Sequence, residues 1–107
     1  MVLKLHGGRF QSDLPDVIVI KADGGVSFIE FKIVDHLVLP WAKCRLGQHL
    51  MMLGMEKHHA DVWYWVWSRE AEAFYAIPPN FICEGETFDF SLLSPRCPAQ
   101  TPPRRST

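Results

Sequence analysis

The stretch Leu14-Pro15-Asp16-Val17-Ile18-Val19-Ile20, followed after Lys21-Ala22-Asp23-Gly24-Gly25 by Val26-Ser27-Phe28-Ile29-Glu30-Phe31-Lys32-Ile33-Val34, decides how the chain is read. Two runs of β-branched and aromatic residues around a short, glycine-containing loop predict a β-hairpin. Symmetric closure of that loop pairs Ile20 with Val26, Ile18 with Phe28 and Asp16 with Glu30. Side chains alternate along a strand, so Lys32 shares the face of Glu30. Directly opposed Cβ atoms lie roughly 5 Å apart. Asp16 and Glu30 are therefore expected to converge beside the Lys32 ammonium, an arrangement that suits a divalent cation. A register slip of one residue would turn Asp16 away from the other two.

Downstream, Leu39-Pro40-Trp41 reads as a helix start, because proline is tolerated in a first turn whose N–H groups are unpaired. Over residues 40–57 the residues Ala42, Leu46, Leu50 and Leu53 recur at helical spacing and are expected to pack on the sheet. About 100° round the helix, Trp41, Arg45, Gln48 and Met52 form a second stripe with a guanidinium and an amide on it. Gly47 and Gly54 weaken a helix, and either is a candidate for close approach to another backbone. His58 and His59 read as helix-terminus residues.

Asp61-Val62-Trp63-Tyr64-Trp65-Val66-Trp67 is the strongest strand signal, apolar on both faces, and belongs inside a sheet or at a dimer interface. The order strand, strand, helix, strand predicts that it returns parallel to the second hairpin strand. Short strands are expected near residues 1–5 and 74–77. Residues 1–93 form one domain, and the segment 94–107, rich in Pro, Ser, Thr and Arg, reads as a disordered tail.

With 107 residues, 48% apolar and 21% charged, the chain has the profile of a soluble globular domain. A formal net charge of -1 argues against indiscriminate nucleic-acid binding but leaves room for a local basic groove. Cys44, Cys83 and Cys97 lack disulfide or metal spacing and read as reduced thiols, so a cytoplasmic location is expected. No secretory leader and no apolar run of roughly 18 residues is visible. In the polar loop 6–13, Arg9 is placed to meet a phosphate.

Pro15-Asp16, then Glu30-Phe31-Lys32 on the paired strand, then a helix bearing Gln48, resembles the PD-(D/E)XK nuclease superfamily over residues 14–67, nearest to archaeal-type Holliday junction resolvases and VRR-NUC domains. The resemblance implies an α/β, restriction-endonuclease-like core: a mixed sheet with a hairpin, a crossover helix and a buried parallel strand. It implies Mg²⁺ held by Asp16, Glu30 and the Phe31 backbone carbonyl, with Mn²⁺ expected to substitute. Lys32 would orient or activate the attacking water, and Gln48 would stand beside the site. DNA, branched or duplex, is the implied partner, with Arg9, Lys43, Arg45 and Gln48 as its contacts.

The front of the chain departs from the family. Many members carry a further acidic residue on a preceding helix, and none of the fifteen residues before Asp16 is Glu, with Asp13 a poor substitute. That favours one metal and suggests that a second subunit completes the surface. A homodimer is expected also because Trp41, Trp63, Trp65, Trp67, Phe74 and Tyr75 look too many for a chain of this size to cover. Two other readings compete: a non-catalytic nucleic-acid-binding or assembly subunit that keeps the fold, and a structural protein whose Trp-rich strand is an interface. A surface ion pair between Glu30 and Lys32, worth roughly 0–1 kcal/mol, would account for those two residues but not for Asp16.

Overall fold

The structure, a computed structural model, describes residues 2–4 and 15–96. Strands β1 (Val2–Lys4), β2 (Val17–Ile20), β3 (Val26–Val34), β5 (Asp61–Ser68) and β6 (Ala73–Ile77) form one mixed sheet in the order β1-β2-β3-β5-β6. Strands β4 (Val38–Leu39) and β7 (Phe88–Asp89) make a small antiparallel pair. The single α-helix among the described residues, α1 (Leu46–Lys57), lies between β3 and β5 in the chain.

The hairpin has the register expected from its turn. Ile18 pairs with Phe28 and Ile20 with Val26. The Lys21 N–H donates to the Gly25 carbonyl at 2.8 Å and the Gly24 N–H to the Lys21 carbonyl at 3.0 Å, while the Asp23 carboxylate accepts from the Gly25 N–H. Gly24 sits at φ +86°, where a side chain would be strained, so glycine is what lets the loop close in this register. Strand β5 then runs parallel to β3 along its length, with Glu30 beside Tyr64 and Lys32 beside Val66. The chain is thus an α/β fold with a mixed sheet and, among the described residues, one α-helix.

The even-numbered residues of β3 and β5 line one face of the sheet. Val34, Val62, Tyr64 and Val66 pack there with Met52 of α1, Tyr75 and Ile77 of β6, and Leu39, Cys44, Ile82 and Phe90. On the opposite face Val17, Ile29, Trp63 and Trp65 form a second cluster with Val19, Phe74 and Ala76 against it. Trp63, Trp65 and Tyr75 are all buried within the single chain. Trp41 and Tyr75 belong to the helix side, so the expected aromatic surface is divided between two faces and largely covered. Outside that set, Phe31 at 42% and Ile33 at 50% are exposed.

Helix α1 departs from the expectation in both start and phase. Residues Trp41–Lys43 make a 3-10 turn, and Cys44 (φ -107°, ψ 156°) and Arg45 (φ -114°, ψ 135°) are extended, so the helix begins at Leu46. Its buried residues are Gln48, His49 and Met52. Leu46, Leu50 and Met51 are exposed, which reverses the predicted packing stripe. Ala42, used to set the phase, lies outside the helix. Gly54 meets nothing within 4 Å, so it marks no close approach.

Asp61 ties the start of β5 to the hairpin. Its carboxylate accepts from Lys21 Nζ at 2.8 Å, Ser27 Oγ at 2.6 Å and Trp63 Nε1 at 2.6 Å. Burial alone would push its pKa up, but these three bonds and the Lys21 charge outweigh it and hold the carboxyl below its ordinary value of 3.8. A depressed folded pKa contributes stability that is complete above the unfolded value and lost as the pH falls through the folded one. Urea midpoints taken from about pH 6 down to about pH 2 should therefore fall more steeply below pH 3.8 for the parent than for Asp61→Asn. Identical pH profiles would show that the network contributes nothing.

No helix among the described residues is long and apolar enough to cross a membrane. Cys44 and Cys83 are free thiols. Arg96, inside the segment expected as a tail, donates its backbone N–H to the Phe74 carbonyl, and residues 97–107 lie outside the described residues.

Candidate active site

The hairpin and α1 bring Asp16, Glu30, Lys32 and Gln48 together on the helix side of the sheet. Asp16 stands at a bend just before β2, and its backbone N–H donates to Glu30 Oε1 at 3.1 Å. The other oxygen, Oε2, is 3.3 Å from Lys32 Nζ. Lys32 Nζ also donates to Gln48 Oε1, at a long 3.4 Å. The Gln48 side chain also hydrogen-bonds the Glu30 carboxyl. Three residues, Asp16, Lys32 and Gln48, thus converge on the Glu30 carboxylate.

Glu30 is 5% exposed, so it sits in the core margin and not at an open rim. Burial is the largest influence on its carboxyl and raises its pKa above 4.5. Lys32 pulls it down, the Asp16 charge pushes it up, and the hydrogen bonds from Lys32 and Gln48 favour the anion. Burial and the second carboxylate prevail. A carboxylate in that position gains from a further positive charge.

The donor set can be tested against a hard cation. Among the described residues no group of three or more His, Cys, Asp or Glu is placed to hold a metal. Mg²⁺ does not require one, since it is commonly bound through one or two carboxylates and keeps waters or substrate phosphate oxygens for the rest. Asp16 and Glu30 supply two carboxylates, and the charge of the first is felt at the second. Continuing the hairpin register places Phe31 opposite Pro15, which has no N–H to offer a carbonyl across the ladder. The expected third ligand therefore faces a residue that cannot occupy it.

Comparison with protein-family models, curated proteins and solved structures finds no match to this chain. No family is assigned on that basis, and the site stands on its own geometry.

Of the remaining expected contacts, Arg45 and Lys43 are among the described residues. Arg45 caps the start of α1 with extended backbone and is exposed, and it does not sit one turn before Gln48 on the helix. Lys43 is exposed in the 3-10 turn, where its charge is felt by Asp35. Arg9 lies outside the described residues.

Three residues that the sequence reading passed over adjoin the site. Tyr64 is fully buried, and its hydroxyl is 2.8 Å from His49 Nδ1. His49 Nε2 is 3.0 Å from the Ile82 carbonyl. Cys44, 8% exposed, feels the charges of Lys32 and Glu30, and burial raises its pKa. The available signal was a lone phenol in an otherwise apolar strand, beside Glu30 once β3 and β5 are paired.

Proposed function

We propose that this protein is a Mg²⁺-dependent endonuclease that hydrolyses DNA phosphodiester bonds, selective for branched or flapped structure. The observation that carries the reading is the convergence on Glu30 of Asp16, Lys32 and Gln48, from the bend before β2, from β3 and from α1. Asp16 and Glu30 would hold the ion, which supplies polarisation of the phosphoryl oxygen and a lower pKa for bound water. Lys32 carries a fixed positive charge whose direction is set by Glu30 on one side and Gln48 on the other. That charge stabilises the negative charge that builds on the phosphate as water adds to phosphorus and the ester oxygen leaves with a proton. Gln48, 1% exposed and braced by the core, keeps the ammonium from swinging to solvent.

Supercoiled plasmid and synthetic branched DNA incubated with Mg²⁺, Mn²⁺ or EDTA test this directly. Cleavage that EDTA abolishes supports the reading. DNA binding without cleavage in either metal would favour the second reading, a non-catalytic nucleic-acid-binding subunit. That alternative draws support from Glu30, whose two oxygens already have protein partners.

A homodimer remains part of the proposal, on a narrower surface than the sequence suggested. Phe31 and Ile33 are exposed on the face that carries Trp63, Trp65 and Phe74, with Phe31 edge-on to Phe74 at 6.2 Å. Two-fold pairing through this patch would give one cut per strand from two sites. Sedimentation equilibrium at micromolar concentration should return twice the chain mass for the parent and the chain mass for Ile33→Asp. A monomer mass for the parent would leave a single-strand nicking or flap-trimming enzyme.

A further inference from the structure

Directly behind the proposed reactive groups lies a buried polar chain that the chemistry above does not use. Tyr64, on β5, is the parallel-strand neighbour of Glu30. Its hydroxyl meets His49 Nδ1 at 2.8 Å, and His49 Nε2 meets the Ile82 carbonyl at 3.0 Å. A carbonyl only accepts, so Nε2 carries the hydrogen, Nδ1 is the acceptor and Tyr64 donates. Donors and acceptors thus run in one direction from the sheet, through the helix, to the segment after the 3-10 turn Pro79–Phe81. The Trp41 ring closes the side of the imidazole edge-on, 5.4 Å between centroids.

His49 directly follows Gln48 in α1 and is as deeply buried, 2% exposed against 1%. Rotating or sliding α1 far enough to carry Gln48 Oε1 off Lys32 would also pull His49 from Tyr64, from Ile82 or from both. Each break would leave a buried polar group unsatisfied, which is what makes such a chain restrictive. Packing alone does not call for it. An aliphatic side chain would fill the position without needing two partners, and the next inward residue of the helix, Met52, is of that apolar kind.

We propose that the Tyr64–His49–Ile82 chain is a positioning device that sets the orientation of α1 so that the Gln48 amide meets Lys32 and Glu30. Tyr64 and His49 are positioning residues and touch no substrate. The role in turnover rests on the nuclease reading, whereas the orientation of Gln48 does not.

The test uses the full chain and four variants: Tyr64→Phe, His49→Leu, His49→Gln and, as a packing control on the same helix, Met52→Ala. Two readouts are taken below the melting temperature of each variant: kcat and KM on whichever DNA the parent cuts, and the Gln48 side-chain amide resonances in ¹H–¹⁵N spectra of metal-free protein. Tyr64→Phe and His49→Leu should shift the Gln48 resonances and lower kcat about 10- to 100-fold with little change in KM, because a small misplacement of a reacting group has that effect. Gln at position 49 can accept from Tyr64 and donate to Ile82, so His49→Gln should restore most of both. Met52→Ala should melt lower yet keep kcat. Unchanged Gln48 resonances in Tyr64→Phe and His49→Leu would overturn the proposal, as would a kcat loss in Met52→Ala equal to theirs. Should His49→Leu not fold, Tyr64→Phe decides alone, since it removes one oxygen. A parent that cleaves nothing would sink the nuclease reading, and the Gln48 resonances would still decide the positioning role.

Discussion

The double variant Glu30→Gln/Lys32→Met should lose cleavage by at least about 10²-fold while remaining as stable as the parent or more so. Glu30 and Lys32 form an ion pair whose side chains are only 7% and 11% exposed. Charges so placed are costly to desolvate, and replacing both by neutral groups of similar shape is often neutral or stabilising. The Glu30 carboxyl shows the tension, since its pKa is raised in spite of the lysine beside it. A raised folded pKa means that its contribution is complete below the unfolded value of about 4.5 and is lost as pH rises through the folded value. Charging this carboxyl is therefore costlier in the folded protein than in the unfolded chain, a cost that function, on the nuclease reading, explains.

Each single variant should behave differently. Glu30→Gln strands the Lys32 ammonium and Lys32→Met strands the carboxylate, and either should cost up to about 3 kcal/mol. The depth of both side chains in the structure is what makes the single variants costly. Activity assays and urea melts on the two singles and the double separate the cases. Parent-like turnover in the double variant would end the assignment of these residues to the chemistry. A double variant less stable than both singles would show that the pair is a structural staple.

Met52→Ala should destabilise the protein by about 2–5 kcal/mol, and Leu50→Ala by no more than about 0.5 kcal/mol. Met52 is completely buried in the helix-side core, while Leu50 is 56% exposed. The hydrophobic spacing had pointed to the opposite ranking. Thermal or urea melts of the two variants decide between the faces, and equal losses would mean that α1 packs in neither phase.

The hairpin was legible in the residues themselves. Gly24 and Asp23 specify how the loop closes, closure specifies which residues face each other, and strict alternation then places Glu30 and Lys32 on one face. The parallel return of β5 followed from chain order and the length of the intervening segment. All of this is local, or follows from connections that physics leaves few ways to make. The helix was different. Periodicity counts apolar residues, and on α1 that count favoured Leu46, Leu50 and Leu53, although the buried residues include Gln48 and His49. A polar side chain can be buried when its partners are waiting, and those of His49 come from Tyr64, 15 residues away, and Ile82, 33 residues away. The break at Cys44 and Arg45, where the backbone is extended, likewise reset the phase of the helix after Pro40. Sequence determined the carboxylates, the lysine and the strands that pair them. The tertiary structure decided which face of α1 turns inward, because only the assembled sheet and the segment after Pro79–Phe81 supply the hydroxyl, the ammonium and the carbonyl that make burial of an amide and an imidazole favourable.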